Sequence, residues 1–259
     1  MPFFSVHDQK FHAEDSGGEG PAVVFSHGNL MDHTMWEPQI SALRGGYRCV
    51  AWDERLHGRT VDDGRPHTYW QSADDLLGLL DAMDIGRAVL VGHSQGGFLS
   101  LRAALRAPER VAGLVLVDTR ATAWPERDLA QMGAVADAFE AAGPDAVGPQ
   151  LLDLLIGEPA LHEVWLAKWR AQPPQRPATA VRTLMGADDI SARLSGITVP
   201  ALVVHGERDA PVPVAAGRAL HAALPGAQEF VLVPGAAHTP NLTHAAEVTR
   251  ALAGFLGRL

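Results

Sequence analysis

Apolar residues in this chain come in two kinds of block, and the order of the blocks predicts the architecture. Short runs with no polar face recur at Ala22–Ser26, Cys49–Trp52, Ala88–Val91, Val111–Val117 and Val199–His205. Such runs read as strands covered on both faces, as in a parallel sheet. Between them lie longer stretches with apolar residues at helical spacing. One carries Trp36, Ile40 and Leu43 and ends at Gly45-Gly46; others run over 72–83, with Ser72 as N-cap, over 213–223 and over 243–256. Residues 3–7 and 10–14 predict an antiparallel pair at a sheet edge, and 229–233 a last strand.

The alternation stops after Asp118 and resumes at Val199. The intervening stretch shows no strong strand. It carries Trp124, Met132, Phe139, the run Leu151–Ile156, Trp165 and Trp169, and is broken by Pro173, Pro174 and Pro177. The expectation is an α/β protein: a mostly parallel, eight-stranded sheet covered on both faces, formed by 1–118 and 196–259, with a helical cap inserted at 119–195.

The stretch around Ser94 organises this pattern. Ala88-Val89-Leu90-Val91 feeds directly into a helical run from Leu99 to Leu105 that Pro108 closes, through Gly92-His93-Ser94-Gln95-Gly96-Gly97. A G-x-S-x-G turn between strand and helix holds its serine in a strained backbone. It exposes the hydroxyl above the sheet, with small residues at Gly92 and Gly96 where side chains would clash.

Composition narrows the class. A chain of 259 residues with 47% hydrophobic content supports one core with an insertion, and a net charge of −9 argues against a nucleic-acid partner. Cys49 is the single cysteine, so no internal disulfide forms, which fits a reducing compartment; it reads as a buried structural thiol. The N-terminus from Met1 to Asp8 lacks the pattern of a signal peptide, and no apolar stretch reaches the ~20 residues of a membrane span. A cytoplasmic protein acting on a small molecule, with no membrane partner, is expected; oligomeric state, including a homo-oligomer, stays open.

A serine hydroxyl needs a base within reach and a group that orients the base. Two later strands end in Gly206-Glu207-Arg208-Asp209 and in Pro234-Gly235-Ala236-Ala237-His238. Loops at the carboxyl ends of parallel strands share one rim, so Ser94, Asp209 and His238 can converge despite their spacing. Asp118, at the end of the strand after Ser94, is a rival for the acid. The 12 histidines show no metal-ligand spacing, and neither a metal nor a cofactor is expected. His33, His57, His67 and His221 read as solvated or loop residues, and His27 as a residue that orients loops.

On these motifs the chain resembles the α/β-hydrolase family, in the branch with short caps that holds esterases, lactonases, C–C bond hydrolases and cofactor-free haloperoxidases. The resemblance covers about 20–118 and 197–257. It implies Ser94 as nucleophile, Asp209 as triad acid, His238 as general base, and the backbone N–H groups of Asn29 and Gln95 as the oxyanion hole. One departure stands out. Where the family reads Asp-x-Arg-Gly-x-Gly-x-Ser, this chain has Asp53-Glu54-Arg55-Leu56-His57-Gly58-Arg59-Thr60, and Leu56 suggests a displaced loop and an added apolar wall. Leu30, His93, Trp124, Phe139, Trp165 and Trp169 are the candidate pocket residues, with packing as the other role open to His93. The expected activity is hydrolysis of a carboxylic ester or lactone with an apolar part, through an acyl-Ser94 intermediate. C–C bond hydrolysis is disfavoured because Thr239, not tryptophan, follows His238. Haloperoxidase or perhydrolase activity and a ligand receptor on the same fold are the remaining alternatives.

Overall fold

The computed structural model describes residues 3–259. Met1 and Pro2, part of the stretch read above as lacking a leader, lie outside the described residues. Eight strands form one sheet: β1 (Phe3–Val6), β2 (Gln9–Asp15), β3 (Ala22–Ser26), β4 (Arg48–Trp52), β5 (Ala88–His93), β6 (Val111–Val117), β7 (Ala201–Gly206) and β8 (Ala227–Val233). Their order is β1-β2-β4-β3-β5-β6-β7-β8. β1–β2 and β2–β4 pair antiparallel, and every later neighbour pairs parallel. Each parallel crossover needs a helix, which the alternating pattern supplies.

Two apolar layers sandwich the sheet. One packs α2 (Tyr69–Ala82) and α3 (Gln95–Arg106) on it, around Leu76, Leu79, Leu90, Leu101 and Leu114. The other holds α1 (Glu37–Leu43) and a C-terminal helix (Ala245–Leu256) over Val23, Phe25, Val91, Val115 and Leu202. Alternate residues of one strand therefore serve opposite layers, and this two-sided burial leaves the strands without a polar face.

Several boundaries differ from the sequence reading by a residue or two, β8 beginning at Ala227 rather than 229, and two helix starts differ as well. α2 begins at Tyr69 rather than Ser72 because Thr68 caps it: the Gln71 N–H donates to Thr68 Oγ1 at 3.2 Å, and the Thr68 N–H donates to Gln71 Oε1 at 2.9 Å. Ser72 lies buried inside the helix. The C-terminal helix starts at Ala245, after a separate turn at Pro240–Thr243.

Between β6 and β7 the chain is helical: α4 (Glu126–Ala142), α5 (Gly148–Leu155), α6 (Pro159–Arg170) and α7 (Gln175–Met185). Ion pairs join this segment to the sheet-bearing part. Lys168 Nζ lies 2.7 Å from the Asp32 carboxylate, and Arg176 Nη2 lies 2.8 Å from that of Asp62.

Register decides what meets at the rim. Ser26 pairs with Gly92, His93 with Val117, Val117 with Val204, and Gly206 with Val233. The strands thus end level, and the loops after β3, β5, β6, β7 and β8 open on one edge.

Candidate active site

Ser94 follows β5 immediately and precedes α3. Its backbone stands at φ 51°, ψ −114°, a region that L residues avoid. Bonds on both sides hold it there: the Ser94 N–H donates to the Val117 carbonyl at 2.9 Å, and Thr119 Oγ1 donates to the Ser94 carbonyl at 2.7 Å. The flanking glycines answer to close approach. A Cβ on Gly92 would overlap the Gly96 carbonyl, and one on Gly96 would overlap that of Ser26.

His238, in the loop after β8, has its Nδ1 2.8 Å from Asp209 Oδ2 in the loop after β7. Asp209 also accepts from the Val212 N–H at 2.9 Å. His205 Nε2 sits 3.4 Å from the same Oδ2, and 2.7 Å from the Val212 carbonyl. Burial alone would raise the Asp209 carboxyl, but the adjoining histidines hold it below the usual range. Asp118, fully buried behind it, accepts from the Gly206 N–H at 2.8 Å. Burial, then the charge of Asp209, pushes Asp118 well above the carboxylate range. The negative charge therefore rests on Asp209, beside the imidazole. With Nδ1 engaged, Nε2 of His238 remains for a proton on the cavity side.

Ser94 and His238 both line a cavity of about 610 Å³, with Asn29 and Leu30 at its edge. Asn29 and Gln95 are linked by their side chains: Asn29 Nδ2 donates to Gln95 Oε1 at 3.0 Å, and the Tyr69 hydroxyl donates to the same oxygen at 3.1 Å. Backbone N–H groups at two such positions are the arrangement that stabilises an oxyanion.

Two histidines brace the loop carrying Asn29. The Leu30 N–H donates to His57 Nε2 at 3.1 Å, and His57 Nδ1 donates to the Arg55 carbonyl at 2.8 Å. His27 Nε2 accepts from the Glu54 N–H at 3.0 Å, while its Nδ1 donates to the Gly28 carbonyl at 2.8 Å. Burial lowers both rings, so they stay neutral with the proton on Nδ1. His57 is thus buried, not solvated as its loop position suggested. His33 is buried too: its N–H and Nδ1 each lie 2.8 Å from Asp53 Oδ1. His67 and His221 stay partly exposed.

Of the expected pocket residues, Leu30 and Trp124 line the cavity, together with Val135, Leu151 and Leu155. His93, Phe139, Trp165 and Trp169 do not. His93 lies beneath His238, its Nε2 donating to the His238 carbonyl, and its ring fills the space a Gly28 side chain would need. Burial, followed by the adjacent His238, lowers His93 to about 3, so it is a neutral prop. Phe139 packs edge-on against Trp169 with ring centres 5.8 Å apart, inside the helical segment. Trp165 and Trp169 border a separate void of about 40 Å³, and Trp169 Nε1 donates to the Leu30 carbonyl at 2.6 Å.

Leu56 also differs from expectation. It keeps a left-handed backbone, φ 67°, where the family pattern has glycine, and is buried against the small void rather than walling the main cavity. The loop stays anchored because Asp53 accepts from the His33 and Arg59 N–H groups at 2.8 and 2.9 Å.

Sequence reasoning missed His205 and Arg120. His205 follows an apolar run and carries no motif of its own, but its register opposite Leu232 puts it beside Asp209. Arg120, three residues past β6, lines the cavity; its closeness in sequence to the rim at Asp118 was the available signal. Two groups of side chains have the donor types and spacing to hold a cation: His12, His33 and Asp53, and Asp118, Asp209 and His238. In both, the carboxylates are already engaged by imidazoles or backbone N–H groups.

Comparison with known proteins agrees with this architecture. Residues 21–245 match the family described as alpha/beta hydrolase fold. A relative from Variovorax paradoxus, named "Putative carbamate hydrolase RutD", is 35% identical over 96% of each chain. The enol-lactonase of Burkholderia xenovorans LB400 superposes with a TM-score of 0.90 at 28% identity, over 99% of this chain and 100% of that one. A thermophilic esterase from Thermogutta terrifontis superposes with a TM-score of 0.89 at 28% identity, over 98% and 96% of the two chains. The level strand ends, the strained serine turn and these matches lead to one conclusion: the chain belongs to the α/β-hydrolase fold family.

Proposed function

We propose that the protein hydrolyses a carboxylic ester or lactone with an apolar part through an acyl-enzyme on Ser94. The reading is carried by the His238–Asp209 contact of 2.8 Å, on an imidazole that shares a cavity with the strained Ser94. In this reading His238 takes the Ser94 proton as the hydroxyl attacks the acyl carbon. The developing oxyanion is met by the N–H groups of Asn29 and Gln95. His238 then passes the proton to the leaving oxygen, and water repeats the sequence to release the acid and free Ser94. The helical segment between β6 and β7 acts as the cap, its apolar residues receiving the acyl or lactone chain. The likeness to an enol-lactonase and an esterase supports the ester and lactone assignment.

A panel of esters, lactones, thioesters and carbamates assayed against the protein and a Ser94→Ala variant tests it. Multiple turnover on esters or lactones is expected, with a loss of at least ~10⁴-fold in the folded variant. A folded Ser94→Ala protein with near-full activity would overturn the assignment, and a single turnover with a persistent adduct would favour a receptor.

A further inference from the structure

The cavity is apolar on most of its wall; its charged lining residues are Arg120, Arg127 and Asp128, and of the two cations only Arg120 is buried. Arg120 is 8% exposed and lines the same space as Ser94 and His238. Its Nε and Nη2 donate to Thr122 Oγ1 at 2.9 and 2.7 Å, and Nη2 also donates to the Ala123 carbonyl at 2.7 Å. The guanidinium carbon sits 5.0 Å from the centre of the Trp124 ring. Those contacts fix the head group without neutralising it. Among the described residues no carboxylate lies within ion-pair distance of Arg120, and Nη1 donates to no protein group.

Two acids act on Arg120 from beyond ion-pair distance, and each has another partner: Asp128, which also lines the cavity, lies 3.4 Å from Arg127, and Asp189 accepts from the N–H and hydroxyl of Ser191 at 2.8 and 2.6 Å. Other buried or half-buried arginines of this chain all have carboxylate partners: Arg102 with Asp188, Arg55 with Asp75, Arg176 with Asp62. A buried cation held by neutral acceptors alone is costly unless an anion completes its shell, and a guanidinium suits a carboxylate.

We propose that Arg120 is an anion-binding residue of the cavity and that the substrate is an ester or lactone carrying a second, free carboxylate. This rests on the reading of Ser94 and His238 as the reacting groups. The apolar wall from Val135, Leu151 and Leu155 takes the methylenes between the two ends, and Arg120 fixes which end faces Ser94. Arg120 orients the substrate and takes no part in bond making.

Two measurements test this separately from the hydrolase reading. In the first, the wild-type protein is given mono-(4-nitrophenyl) succinate, glutarate and adipate, each beside its terminal carboxamide, which has the same shape and no charge. The best carboxylate is expected to exceed its carboxamide at least about tenfold in kcat/KM. The ratio should fall towards one in Arg120→Met, and Arg120→Lys should retain more of it. In the second, monomethyl and dimethyl glutarate are titrated into folded Ser94→Ala protein, which reads the subsite without turnover. Tighter binding of the monoanion is expected. A wild-type ratio near one, a preference surviving in Arg120→Met, or equal binding of the two glutarates would overturn the proposal. Should Arg120→Met fail to fold, the wild-type ratio and the binding pair still decide. Absence of any ester hydrolysis would sink the hydrolase reading alone, with the titration still ruling on the anion site.

Discussion

At the scale of single residues, burial separates groups that look alike in sequence. Asp118 and Asp209 both follow strands at the rim, yet only Asp209 carries charge beside His238. Asp118→Asn replaces a neutral acid by a neutral amide that still accepts from Gly206, so a loss within about tenfold is expected. Asp209→Asn should lose ~10⁴-fold, as orienting carboxylates do. Steady-state kinetics on both variants, checked for folding, decides it; the reverse ranking would make Asp118 the acid. Glu54 offers a second test. Burial, then the nearby charge of Asp75, pushes its carboxyl well above the ordinary value near 4.5. Above that value the unfolded chain has lost a proton that the folded chain still holds, so stability falls with rising pH, by up to ~1.4 kcal/mol per unit. Glu54→Gln should remove this slope: its stability advantage, measured by urea unfolding, should grow from pH 5 to pH 8. A constant difference would contradict the argument. That Ser94, Asp209 and His238 lie at one rim was legible because turn motifs and strand ends mark their positions. The roles of His57, His205 and Arg120 were not, because a histidine or arginine near a strand end is written identically whether it faces water or props a neighbour.

Among elements, the strands were legible because two-sided burial writes itself as unbroken apolar runs. Helix starts were less so: Ser72 is a plausible cap by type, but Thr68 wins because Gln71 sits three residues on and closes both bonds. The helical segment was legible as helical and not in its lining. Phe139, Trp165 and Trp169 obey the same periodicity whether they face a cavity or a closed apolar layer, and here all three are buried in such a layer. Trp169 nonetheless reaches the site indirectly, since its indole N–H holds the carbonyl of Leu30, next to Asn29. Trp169→Phe should cost about 1 kcal/mol for the lost hydrogen bond, with more for the void it leaves. It should also lower kcat with little change in KM, because the Asn29 N–H loses its aim. Thermal unfolding and steady-state kinetics check the two parts; unchanged kcat in a destabilised protein would leave α6 with a packing role alone.

For the whole molecule, the level strand ends are the organising fact. They gather residues from positions 29 to 238 onto one edge, and the same level ends make the serine turn depend on the complete sheet around it. Among the described residues, no helix is long and apolar enough to cross a membrane. The strain at Ser94 has a further consequence for the protein as an object of selection. A backbone at φ 51°, ψ −114° costs a serine of the order of 1–3 kcal/mol, but a glycine far less. Ser94→Gly should therefore melt at a higher temperature than the natural chain while hydrolysing nothing, and a lower melting temperature would show the turn to be relaxed. If it melts higher, the working sequence is not the most durable one available to this fold. Any lineage released from the need for its activity would drift towards glycine here, and a screen for thermostability alone would select dead enzyme first at this position.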